Sequence, residues 1–127
     1  MIIKGLVIQF ICGKGRGVFT NRPMSKSKLI ERSPVIVMPA EQRVLLDKTL
    51  LHDYIFEWGI NKDECCMALG YISIYNHSYS SNCEYFMDYH GGYIEIKTVR
   101  DINAGEELTI NYNGDFGSGK KVWFDVV

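Results

Sequence analysis

Gly70-Tyr71-Ile72-Ser73-Ile74-Tyr75-Asn76-His77-Ser78-Tyr79-Ser80-Ser81-Asn82-Cys83 is the stretch on which the reading of this chain turns. Asn76, His77 and Ser78 put three short polar groups in a row, each able to hydrogen-bond a ligand or the surrounding backbone. Taken alone they make an ordinary polar turn. The flanks change that reading. Tyr71, Tyr75, Tyr79 and Tyr85 bracket the polar residues, which follow an apolar run. A polar turn with that lining reads as buried, and a buried polar turn needs partners.

Two further segments, one on each side, carry comparable signals. Upstream lies Gly13-Lys14-Gly15-Arg16-Gly17. Glycines at this density let the backbone adopt positive φ and approach a ligand closely. A dinucleotide-binding loop needs a helix directly after its glycines. Here Val18-Phe19-Thr20-Asn21-Arg22-Pro23 follows, a strand and a turn, so that route fails. By itself the segment is a tight hairpin. Downstream, Asp101-Ile102-Asn103-Ala104-Gly105-Glu106-Glu107-Leu108-Thr109-Ile110-Asn111-Tyr112 reads as a turn at Ala104-Gly105 feeding a strand that ends on a tyrosine. A tyrosine in that place is ordinarily core.

Between these segments the pattern is short strands punctuated by turn residues. Lys4 to Phe10 is β-rich, Tyr93 to Val99 alternates with Ile94 and Ile96 on one face, and Glu107 to Tyr112 is a further strand. Leu29–Arg32 and Val35–Met38 read as two strand pieces separated at Pro34. Val122-Trp123-Phe124 reads as a last one. The helical signal is confined to one place: Leu46, Leu50, Tyr54 and Trp58 recur every four residues, with Gly59 as a stop. Glu64 to Leu69 reads as a second short turn ending at Gly70. The fold class predicted is a mainly β single domain over residues 1–127, with one inserted helix, a core of about 4–116 and a tail of 117–127.

Composition narrows the function. The chain has 127 residues, 46% hydrophobic, with 14 Lys+Arg against 15 Asp+Glu. Near-neutral charge lacks the basic footprint of a non-specific nucleic-acid binder, so no direct nucleic-acid partner is expected. No apolar run approaches the ~18–20 residues of a membrane span, and the start does not read as a signal peptide. Cys12, Cys65, Cys66 and Cys83 form no C-x-x-C pair and no zinc spacing, so no metal site is expected. They read as free thiols of a soluble intracellular protein. A cysteine hydrolase built on Cys83 and His77 lacks a third orienting group.

In chain order, Gly-Arg-Gly-Val-Phe, then Tyr-Asn-His-Ser-x-x-x-Asn-Cys, then Gly-Glu-Glu-Leu-Thr-Ile-Asn-Tyr resembles the SET-domain protein-lysine methyltransferases. The resemblance runs from roughly Lys14 to Phe116, taking in Arg32–Pro39, Asp53–Trp58 and Ala68-Leu69-Gly70. In size the chain is most like the minimal stand-alone SET proteins of large viruses and bacteria. The resemblance implies small curved β-sheets in which the Asn-His-Ser turn and the tyrosine-ending strand thread past each other as a pseudoknot, an exception to unthreaded chains.

It also implies a cofactor, S-adenosylmethionine, held by Lys14, Gly15, Arg16, Gly17, Asn76 and His77, with Tyr54 as a further pocket member. Tyr112 is implied as the catalytic tyrosine, itself beside the cofactor. Tyr75, Ile110 and Phe116 are implied for the substrate channel. The partner is a protein or peptide bearing a target lysine, a histone tail being the family's commonest, and a nuclear location goes with that substrate. Because Ile110 stands two residues before Tyr112, where a tyrosine restricts the family to monomethylation, the resemblance implies di- or trimethylation.

The departures from the family pattern are Ser81 where proline is usual, Ile72 where glycine is frequent, and no cysteine after Cys83 to build a zinc cap. Phe116, Trp123, Phe124 or a second subunit would then cover the cofactor. The apolar tail 122–127 predicts a homodimer. The alternative to an enzyme is a catalytically weak SET-fold binding module.

Overall fold

The computed structural model describes residues 1–113. The expectations placed on Phe116, on a strand at Val122–Phe124, and on a tail that covers the cofactor or joins a homodimer lie outside the described residues. Among the described residues, nine strands and one α-helix follow in the order β1 (Leu6–Ile11), β2 (Gly15–Thr20), β3 (Leu29–Met38), α1 (Ala40–Leu46), β4 (Phe56–Trp58), β5 (Glu64–Ala68), β6 (Asn76–His77), β7 (Cys83–Asp88), β8 (Tyr93–Thr98) and β9 (Glu107–Ile110). Single 3-10 turns occupy Leu50–Asp53 and Ile72–Ile74. No helix among the described residues is long and apolar enough to cross a membrane.

The strands form two sheets, ordered β1-β2-β9-β6 and β4-β5-β3-β8-β7. The second is antiparallel throughout. In the first, β6 runs parallel to β9, with Asn76 opposite Thr109 and His77 opposite Ile110. This pairing sets the Asn-His-Ser segment beside the tyrosine-ending strand. It is the part of the expected threaded crossing that the described residues contain. Ile30, Ile72, Ile94, Ile96, Leu108 and Ile110 are wholly buried and form the centre of the core.

Three sequence expectations are corrected. The predicted helix over Leu46 to Trp58 is instead the end of α1, a 3-10 turn and β4. Its four-residue spacing does not mark a buried face: Leu50 is 74% exposed, whereas Trp58 is buried from a strand and packs edge-on against Tyr89 at 4.9 Å. Gly59 does act as a stop, with φ +91°, but for β4 rather than for a helix.

Glu64–Ala68 is a strand, not a helical turn. It lies between β4 and β3 in the sheet, with α1 and the core packed against it, so both Cys65 and Cys66 are buried and the alternation that identifies a strand is erased. Finally, β3 continues through Pro34. Residues Leu29–Pro34 pair with β8 while Val35–Met38 pair with β5, on the strand's other edge. The proline sits where the ladder changes partner, the one place where a missing N–H does least harm.

Candidate functional site

Two cavities meet at one wall. The smaller, about 300 Å³, is bounded by the β1–β2 turn through Lys14, Gly15 and Arg16, and by Ile74 and Asn76. The larger, about 510 Å³, is bounded by β4 and β7, with Phe56, Glu57, Tyr85, Phe86 and Met87 among its walls. Asp53, Tyr54, Ser73 and Tyr112 line both.

The glycine-rich segment is a hairpin: Ile11 faces Gly15 and Gln9 faces Gly17. Gly15 has φ +83°, a conformation that favours glycine. Gly17 serves differently. A Cβ there would come 2.6 Å from Glu107 Oε2 and 2.9 Å from Asn76 Nδ2. Its bare backbone makes room for a polar cluster in which Asn76 Nδ2 donates to Arg16 O at 3.0 Å and to Glu107 Oε2 at 2.8 Å. Lys14 Nζ donates to Glu107 Oε1 at 3.2 Å. Both N–H donors of Asn76 are therefore used within the protein, and what it offers the cavity is its Oδ1 acceptor.

His77 is buried and lines neither cavity. Its Nδ1 accepts the backbone N–H of Tyr112 at 3.0 Å, and its ring lies 5.2 Å from that of Tyr112. Burial lowers its pKa below the usual histidine value. Tyr112 follows β9 directly, and its hydroxyl donates to the backbone oxygen of Tyr75 at 2.7 Å. Burial raises its pKa well above the ordinary tyrosine value, and the nearby Glu107 charge adds to the rise. Tyr85 reaches the same place from β7: its hydroxyl lies 3.5 Å from Tyr112 O, and burial pushes it up to about 12.

Of the residues named from the sequence, Lys14, Gly15, Arg16, Tyr54, Asn76 and Tyr112 come together around the smaller cavity. Gly17 stands behind it and His77 behind Tyr112. Tyr75 lines the larger cavity, while Ile110 is fully buried in the core and lines neither. Sequence reading gave no role to Asp53 or Ser73, which share the common wall. Nor did it give one to Glu107, whose two oxygens organise Lys14 and Asn76. The signal for Glu107 was present in the third motif. What was missing was the register that brings it against Gly17.

The smaller cavity falls at the lower end of the range for small-molecule sites, ~300–1,000 Å³. Its chemistry suits a zwitterionic ligand, with an acceptor from Asn76, an ammonium from Lys14 and a close-approach backbone at Gly15. S-adenosylmethionine, which carries an amino-acid end, fits that donor set.

The SET-domain family profile matches residues 15–113. The chain is 34% identical over 113 residues to a Schizosaccharomyces pombe histone-lysine N-methyltransferase specific for H3 lysine-37, covering 88% of this chain and 71% of that one. It is 31% identical over 123 residues to N-lysine methyltransferase KMT5A-A of Danio rerio, covering 85% of this chain and 35% of the relative. Among solved structures, a Plasmodium falciparum protein described as a candidate histone methyltransferase superposes with a TM-score of 0.65 at 27% identity, over 87% of this chain and 95% of that one. A Chaetomium thermophilum Polycomb Repressive Complex 2 bound to S-adenosylmethionine contains a chain with the same fold, at a TM-score of 0.70 and 19% identity over 86% of this chain and 15% of that one. The chain belongs to the SET-domain family of protein-lysine methyltransferases.

Proposed function

We propose that this chain transfers a methyl group from S-adenosylmethionine to a lysine side chain of a protein, with the cofactor in the smaller cavity and the lysine entering from the larger. One observation carries the reading: Tyr112 stands on the wall common to both cavities, with its hydroxyl held by Tyr75 O at 2.7 Å. Lys14, Asn76 and the backbone of Gly15 and Arg16 would hold the cofactor, which supplies an electrophilic methyl group when bound.

The chain's own part is to prepare the amine. A lysine ammonium, pKa ~10.4, has no lone pair for displacement and must first lose its proton. A cavity walled by Tyr54, Phe56 and Tyr85 disfavours the charged form and lowers that pKa. Tyr112 is no base, since burial keeps it protonated. Its role is orientation: a neutral hydroxyl fixed by Tyr75 O leaves its oxygen lone pairs to direct the amine in line. Asp53 and Glu57 on the larger cavity, against Lys62, favour a peptide with basic flanks, which agrees with a histone tail and a nuclear setting.

The test is release of S-adenosylhomocysteine on mixed histones and on lysine-bearing peptides. Turnover on either confirms an enzyme. Tight cofactor binding with no release across the set would instead support the binding-module alternative.

A further inference from the structure

Glu31, on β3, is a carboxyl group with no solvent access that lines neither cavity. Its partners are three donors. The Ser33 hydroxyl gives to Oε2 at 2.7 Å, the Tyr71 backbone N–H to Oε2 at 2.8 Å, and the Tyr75 hydroxyl to Oε1 at 3.1 Å. Tyr71 and Tyr75 immediately precede and follow the 3-10 turn Ile72–Ile74. A single carboxyl group thus grips both ends of that turn, one oxygen to each end.

The turn matters because the wall between the cavities is built on it. Ser73 lines both cavities and Ile74 the smaller one. Tyr75 supplies the carbonyl that receives the Tyr112 hydroxyl. Of the turn's own two bonds, Ile74 N–H to Tyr71 O is 2.8 Å, but the one at the Tyr75 end, Tyr75 N–H to Ile72 O, is long at 3.4 Å. The chain also keeps space for the grip. Gly70 has φ +65°, and any side chain there would collide with the Glu31 carboxyl and the Ser33 hydroxyl. A buried carboxyl is a costly way to fill a core position that an apolar residue would fill more cheaply, unless its bonds do something specific.

We propose that Glu31 is a positioning residue for methyl transfer: by holding both ends of the Ile72–Ile74 turn, it fixes the Tyr75 carbonyl and through it the direction of the Tyr112 hydroxyl. The proposal rests on reading Tyr112 as the tyrosine at the transfer site.

Two variants test it. Glu31→Gln keeps the shape but sets an amide NH₂ against donors, and Tyr75→Phe removes the link to the far end of the turn. Each should lower kcat by about tenfold, the scale of one buried hydrogen bond, with the dissociation constant for S-adenosylmethionine within about twofold. The double variant should be little slower than either single one, since both cut the same link. With ring-labelled tyrosine, the Cζ resonance of Tyr112, assigned by its loss in Tyr112→Phe, should shift in both variants. A folded Glu31→Gln protein with wild-type kcat and an unmoved Tyr112 resonance would overturn the proposal, as would additive losses. If Glu31→Gln does not fold, Tyr75→Phe decides alone by the same two readouts. A wild-type protein without turnover would count against the proposed function, and the Tyr112 resonance would then judge Glu31 by itself.

Discussion

The hydroxyl of Tyr112 keeps its proton at any physiological pH because burial penalises the phenolate and Glu107 repels it. The contribution proposed for it is directional, and a directional contribution disappears with the oxygen. Tyr112→Phe should nearly abolish methyl transfer while leaving cofactor affinity within a few-fold, measured by turnover and by calorimetry on the same preparation. Wild-type turnover would remove Tyr112 from the site. At this scale much was legible. Asn76, His77 and Tyr112 are short-range motif residues, and the polar turn that demanded partners has them in Arg16, Glu107 and Tyr112. What sequence could not give was direction. Ile110 and Tyr112 are two residues apart on one segment, yet Ile110 is buried in the core and Tyr112 faces the cavities. The cavity-facing tyrosine that β7 contributes, Tyr85, is known only once the strand is placed.

Among the elements, the loop between β6 and β7 is tied to β9 by the side chain of Asn82. Asn82 Oδ1 accepts the N–H of Thr109 at 2.9 Å, and its Nδ2 donates to Glu107 O at 2.8 Å, so the amide acts as a short length of extra strand. Asn82 is buried. Asn82→Ala would leave two backbone groups unsatisfied, costing ~2–4 kcal/mol. The melting midpoint should drop by about 8–16 °C; a drop under a few degrees would show that water replaces the amide. The β1–β2 hairpin answers to a different test. In Gly17→Ala, the groups that must yield are the side-chain ends of Glu107, Ile11 and Asn76. The fold should therefore keep its melting midpoint within a few degrees while cofactor affinity falls about tenfold, the scale of one disturbed polar contact. Equal losses in both would make Gly17 a folding residue.

The strands with clean alternation, such as β8 with Ile94 and Ile96, were readable because one face meets water. β5 was not, because it is covered on both faces, and the apparent helix over Leu46 to Trp58 came from a spacing that spans three different elements.

For the molecule as a whole, acidity tests the arrangement around His77. Its pKa in the fold lies below the free value of ~6.5, so below that pH the unfolded chain binds protons that the folded one refuses. Its contribution to stability is complete above ~6.5 and is lost as pH falls from there toward the lowered value. Protonation of Nδ1 would also end its bond from Tyr112 N–H. The melting midpoint should fall on going from about pH 7.5 to about pH 5.5, and by less in His77→Asn, which cannot titrate in that range. An equal fall in both would place the acid sensitivity elsewhere.

The sheet order β1-β2-β9-β6 has one more consequence, for how the chain is made. Its first strand begins at Leu6 and its third ends at Ile110, so nearly the whole described sequence must leave the ribosome before that sheet can close. Until then β2 has lost nothing but lacks its inner neighbour, and the β6 segment has no strand to pair with. Distant pairings of this kind slow folding and leave unpaired edges exposed to other nascent chains. A chaperone that holds strand edges would meet this protein between the synthesis of β2 and the arrival of β9, and a ribosome stalled before Glu107 would carry a product with neither a closed sheet nor Tyr112, part of the wall its two cavities share.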